Sequence, residues 1–151
     1  MHNIIVIGTI PPCPRCKLLT KVVSAKVKEL GLNAEVRHLS YTDEESKDFA
    51  KIMCLEAGTA KDVAKKLNME IEIDKITKLI NNKTLKQNYE YKEYNNCNWS
   101  YELDEFLRPY EKRSKEAGIL MTPVLIIDGI IKHQGSIPNL SNLEKWLLEL
   151  R

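Results

Sequence analysis

The spacing of apolar residues changes several times along the chain, and each change marks an element. Ile4-Ile5-Val6-Ile7-Gly8 is a continuous apolar run with no alternation, the pattern of a strand covered on both faces. A loop with Pro11 and Pro12 follows. Leu18, Leu19, Val22, Val23, Val27 and Leu30 then recur at helical spacing, and Gly31 is suited to end the helix. Residues 34–39 read as a second strand. Strand, helix and strand in this order form a βαβ unit, which implies parallel pairing.

The middle is more polar. Thr42 and Glu45 have the T-x-x-E spacing of a capping box, which predicts a helix from there to near Gly58, with Phe49, Ile52 and Met53 facing a core. Residues 59–67 predict a short helix. Residues 74–81 predict another, with Ile76, Leu79 and Ile80 on one side. The apolar–acidic alternation over 70–74 leaves a short strand open there. Residues 83–98, rich in Asn, Lys and Tyr, have weak periodicity and read as loop or irregular helix.

The signal strengthens after Ser100. Leu103, Phe106, Leu107, Tyr110 and Ala117 lie at helical spacing before Gly118, and Pro109 within that pattern should kink the helix or begin its second half. Residues 119–121 lead through Thr122-Pro123 into Val124-Leu125-Ile126-Ile127. Asp128-Gly129 is a two-residue hairpin signal, and residues 130–134 form the returning strand. A last helix starts at Ser141, where Glu144 completes a second capping box. Leu143, Trp146, Leu147 and Leu150 form its apolar stripe.

Composition narrows the class. The 151 residues are 43% hydrophobic and 29% charged, with a formal net charge of +2. That describes one globular domain and argues against nucleic acid or an anionic membrane as partner. Residues 59–81 superficially suit a helix-turn-helix, but Glu70, Glu72 and Asp74 would face phosphate. No apolar run reaches the length of a membrane helix. The apolar start lacks the basic flank of a signal peptide, so we expect a cytoplasmic protein.

The candidate chemistry is Cys13-Pro14-Arg15-Cys16. It follows the first strand and opens the first helix, with Pro14 near a position where a missing N–H costs little. Two thiols three positions apart at a helix start share a face. The first lies beside unpaired N–H groups and the positive end of the helix dipole, a setting that favours a thiolate. Arg15 adds a positive charge. In a reducing compartment such a pair points to thiol–disulfide exchange or to metal binding. Half a zinc site or two incidental thiols are the bland alternatives, and a complete thiolate site would need all four cysteines to converge. Cys54, near apolar residues in a helical stretch, reads as a core thiol. Cys97 reads either as an exposed redox thiol or as a residue at a helix start. His133, on the returning strand, reads as a solvent-facing or packing residue rather than a proton shuttle. Pro123 reads on its own as a trans-proline opening an edge strand.

Strand, CxxC helix, strand, helical region, Thr-Pro strand, Asp-Gly hairpin and closing helix together resemble the thioredoxin/glutaredoxin superfamily. The two ends carry the likeness: residues 4–39 with Cys-Pro-Arg-Cys, and residues 122–150. The first end is more similar to glutaredoxin, since Pro12 precedes Cys13 where thioredoxin usually has Trp. The resemblance implies an α/β, thioredoxin-like βαβ–ββα three-layer fold with a four-stranded mixed sheet. It implies a single domain formed by residues 1–40 and 119–151, with a helical insertion over 41–118, as in larger disulfide oxidoreductases.

The resemblance also implies roles. Cys13 would attack a substrate disulfide and Cys16 would resolve the mixed disulfide, with Arg15 and Pro14 tuning the Cys13 pKa. Pro123 would be cis, and Thr122 and Pro123 would pair with a substrate strand. Gly135 and Ser136 would form a substrate-contacting loop. The chain would need no cofactor beyond the Cys13–Cys16 disulfide. Its partners would be a disulfide-containing protein or small-thiol substrate and a thioredoxin-reductase-type or glutathione electron donor. A metallochaperone using the CxxC and a non-catalytic thioredoxin-like binding module are the competing readings.

Overall fold

The computed structural model describes residues 1–82, 90–94 and 99–151. Strand β1 (His2–Gly8) forms where the Ile/Val run predicts it. Helix α1 (Pro14–Glu29) follows and leads to β2 (Ala34–Ser40), which pairs parallel with β1, Val6 opposite His38. Strand β5 (Val124–Ile127) pairs antiparallel with the other side of β1 and with β6 (Ile130–Gln134), giving a mixed sheet of order β2-β1-β5-β6. Asp128 and Gly129 both have positive φ, as the tight turn between β5 and β6 requires.

β1 is covered on both faces, as its lack of alternation predicts. Ile4 and Val6 join Leu125 and Ile127 in a core with the Leu18–Val27 stripe of α1 and with Leu143 and Leu147 of α6 (Leu140–Leu148). Ile5 and Ile7 face the other way, with Val124, Ile126 and Ala50 of α2 (Glu44–Ile52). The sheet therefore lies between α1 and α6 on one face and α2 on the other.

The middle of the chain departs from expectation in several places. α2 stops at Ile52, because Met53 and Cys54 close it: Cys54 takes a positive φ while its N–H bonds to Lys51 O and that of Leu55 bonds to Ala50 O. Ile52 and Met53 are consequently exposed at 78% and 43%, and only Phe49 of the expected trio packs inward. The Thr42–Glu45 box does not form. Glu45 is held by Arg37, and Asp43 sits at the cap position. The segment read as the end of this helix is instead β3 (Glu56–Gly58), which pairs parallel with β4 (Ile119–Met121) in a separate two-stranded ribbon. The region between the two ends is thus not purely helical.

Helix α3 (Ala60–Lys66) begins with a capping box between Thr59 and Asp62, and α4 (Ile73–Asn81) follows, so no strand forms over 70–74. Helix α5 (Tyr101–Arg113) runs through Pro109 as one element and packs on α3 and α4. The Ser141–Glu144 box is also absent. Asn139 caps α6 by accepting from Asn142 N at 2.8 Å, while Glu144 pairs with Lys26. Most of residues 83–98 lies outside the described part. Tyr91 within it is buried against Trp99, and its hydroxyl donates to Pro138 O at 2.7 Å, a core contribution that weak periodicity hid.

Gly8 ends β1 directly under α1. A Cβ there would lie 2.4 Å from Cys16 Sγ and 2.7 Å from Cys16 Cβ. Only glycine lets the strand and the CxxC helix approach this closely. We expect Gly8→Ala to destabilise the protein by about 1–3 kcal/mol through overpacking, read as a lower urea midpoint at unchanged m-value.

Candidate redox site

β1 and α1 position the two thiols. The connecting loop carries a cis Ile10–Pro11 bond, which the sequence pattern did not mark. Thr9 Oγ1 accepts from Cys13 N at 3.0 Å and fixes the helix start. Cys13 is the N-cap, and its own sulfur accepts from Cys16 N. The Cys13 sulfur therefore occupies the place of a capping oxygen. Pro14 opens the helix at its start and supplies no N–H to the sulfur.

Cys13 Sγ lies 3.0 Å from Cys16 Sγ, and both thiols are free. Cys13 is partly exposed, whereas Cys16 is wholly buried. The S–H of Cys16 donating to the Cys13 sulfur is the largest influence on Cys13 and pulls its pKa down to about 6. Burial opposes this, and the Cys16 N–H and the Arg15 charge assist. Cys16 moves the other way, because it donates that bond, is buried, and faces the Cys13 charge.

Arg15 does more than tune. Its side chain is buried, and Nε donates to Asp104 Oδ1 of α5 at 2.7 Å. Its Nη2 donates to Gly135 O. The second Asp104 oxygen accepts from Ile137 N at 2.9 Å. Three distant segments thus meet at one carboxylate–guanidinium pair, and Asp104 partly cancels the charge that Arg15 presents to the thiolate. Asp104 was not among the residues expected from sequence. Only its i, i+3 relation to the apolar stripe of α5 hinted that it could face inward.

The Gly135–Ser136 loop belongs to this same framework. Gly135 N donates to Pro123 O at 2.9 Å. At its φ of +85° a Cβ would meet Glu111 Cγ at 2.7 Å. Ser136 is only 1% exposed. Its hydroxyl donates to Glu111 at 2.7 Å and lies 2.9 Å from His133 Nε2. His133 is a packing residue, tilted against Trp146, and burial lowers its pKa.

Cys13, Pro14, Arg15 and Thr122 line one cavity of about 380 Å³, closed by Ile71, Ile76, Ile80, Leu103 and Leu107, with Lys61 at its wall. Gly135 and Ser136 are not among its lining residues. The Thr122–Pro123 bond is cis. The N–H of Thr122 donates to Gly58 O of β3 at 2.9 Å. The donor that the sequence pattern offered to a substrate strand is therefore already paired inside the chain.

Cys54 is exposed rather than a core thiol, because it occupies the positive-φ position that ends α2. Cys97 lies outside the described residues. Among the described residues, no group of three or more His, Cys, Asp or Glu is placed to hold a metal ion, and no helix is long and apolar enough to cross a membrane.

A family model described as a thioredoxin domain matches residues 84–148. Over those residues, less than half of its length, the chain is similar to the thioredoxin domain family. The matched part contains Thr122-Pro123, the hairpin and all of α6, while Cys13 and Cys16 lie outside it. No match is found among curated proteins or among solved structures.

Three outcomes test the site. The rate of Cys13 alkylation should rise with pH through about 6, where the thiolate forms. Cys16→Ala should move that midpoint up further than Arg15→Met paired with Asp104→Leu, because the S–H donor outweighs a guanidinium already neutralised by its partner. Asp104→Ala alone should cost about 3–5 kcal/mol, since it leaves the Arg15 charge buried and unpaired. Urea denaturation measures it.

Proposed function

We propose that this protein is a thiol–disulfide oxidoreductase working as a cytoplasmic dithiol reductant. The observation that carries the reading is a half-exposed thiol of lowered pKa, 3.0 Å from a buried thiol of raised pKa, opening onto a cavity shared with the cis Thr122–Pro123 bond. The exposed member is fit to attack and the buried member to resolve.

In the first step the Cys13 thiolate attacks one sulfur of the substrate disulfide. A Cys13–substrate disulfide forms and the other substrate sulfur leaves as a thiolate. Cys16 then attacks Cys13 Sγ and frees the second substrate thiol. The dithiol is oxidised by two electrons and the substrate disulfide is reduced. A thioredoxin-reductase-type enzyme or glutathione returns the electrons.

The cavity favours a compact aliphatic disulfide over an extended peptide. Ile71, Ile76, Ile80, Leu103 and Leu107 give it an apolar side, and its volume is in the range of small-molecule sites. The Thr122 N–H, engaged by Gly58, is not open to a substrate backbone. Lys61 suits an anionic or polar end.

Cys13→Ser should abolish disulfide reduction, and Cys16→Ser should accumulate a mixed disulfide on Cys13, seen by intact-mass spectrometry. Lipoamide should be reduced with at least a tenfold higher kcat/KM than the interchain disulfides of insulin. Full activity in Cys13→Ser would sink the mechanism, and a preference for insulin would sink the substrate class.

A further inference from the structure

We propose that His38 is the proton acceptor that activates Cys16, the resolving thiol. This rests on the oxidoreductase reading above and adds a residue to it.

His38 lies on β2 beside Val6 of β1, on the sheet face that α1 covers. The point where a Gly8 Cβ would stand is 2.4 Å from Cys16 Sγ and 3.0 Å from His38 Nε2. Because Gly8 has no side chain, the thiol and the imidazole nitrogen flank one small space. No direct hydrogen bond joins them, and a gap of this size is one that a single bridging water spans. His38 Nε2 is buried and has no hydrogen-bond partner among the described residues. Leaving a buried polar atom unpaired is costly, and here that cost is carried beside the one thiol that must lose a proton during turnover.

The chemistry needs such a group. In the resting dithiol the Cys16 S–H donates to the Cys13 thiolate. Once Cys13 is bound in a mixed disulfide, that acceptor is neutralised. Cys16 is still buried and still protonated, and it must become a thiolate to attack. Burial lowers the His38 pKa, so the neutral ring carries a free lone pair at ordinary pH. The groups that face it are Cys16 from α1 and the Asp43 carboxylate, which pulls the pKa upward against burial. β1 contributes only Val6 and Gly8 at this level. In the resolving step the Cys16–Cys13 bond forms, the Cys13–substrate bond breaks, and the Cys16 proton passes to Nε2. The imidazolium then releases its proton to solvent, and the departing thiolate takes up a proton from solvent. In the reverse direction it protonates Cys16 as the internal disulfide opens.

Dithiobis(nitrobenzoate) separates the two steps in a stopped-flow experiment on the full chain. The first thionitrobenzoate is released by attack of Cys13, the second by attack of Cys16. His38→Gln and His38→Leu should leave the first phase unchanged, which also reports that the variants are folded. They should slow the second by about 100-fold, the scale of general-base catalysis. The second phase in the unaltered protein should rise with pH as an imidazole below its ordinary pKa deprotonates, and both variants should lose that inflection. An unchanged second phase, or equal slowing of both phases, overturns the proposal. If the unaltered protein shows no first phase faster than a simple thiol, it is the oxidoreductase reading that fails.

Discussion

The buried pair between Arg15 and Asp104 is the joint on which the site depends. It connects the CxxC helix, helix α5 and the loop after β6. Ion pairs of this depth repay their desolvation only when the geometry is good and the remaining donors and acceptors are used. Both Asp104 oxygens are engaged, and the guanidinium also reaches Gly135 O. The region between the two ends is therefore anchored to the CxxC helix by chemistry, and the thiols are positioned by residues far away in sequence. Partial cancellation of the Arg15 charge also leaves the Cys16 S–H as the main support of the Cys13 thiolate.

The intervening region forms much of the site. Leu103 and Leu107 of α5, Ile76 and Ile80 of α4, and Lys61 of α3 wall the cavity in front of Cys13. β3 takes the Thr122 N–H and extends the pairing of β4 up to the cis-proline. One segment thus supplies an apolar chamber and removes a backbone donor from the place where an extended partner would pair.

Packing under the thiols matters as much as the chamber above them. Gly8 lets the strand approach Cys16 so closely that a methyl group would not fit, and that space is shared with His38 Nε2. The two cysteines then have opposite surroundings: one lies at a helix start with donors around it, the other is sealed between helix and sheet. Their different roles follow from that asymmetry of burial.

Much of this was legible before folding. The unbroken Ile4–Ile7 run, the apolar stripe of α1, the CxxC at a helix start and the Thr122-Pro123 strand with its Asp128-Gly129 turn are local patterns, and the sheet follows them. Misreadings arose where a local signal had a rival. Glu45 was drawn to Arg37 instead of a cap, Cys54 was needed in a positive-φ turn instead of a core, and Tyr91 and Trp99 were buried by distant neighbours. Sequence alone therefore determined the first strand–helix–strand unit, the closing hairpin and a thiol pair at a helix start, because backbone geometry over a few residues sets these. The tertiary structure alone decided that Asp104 meets Arg15, that Gly58 claims Thr122 and that His38 lies beside Cys16. Those pairings depend on which polar groups are cut off from water together, and no periodicity in the chain encodes that.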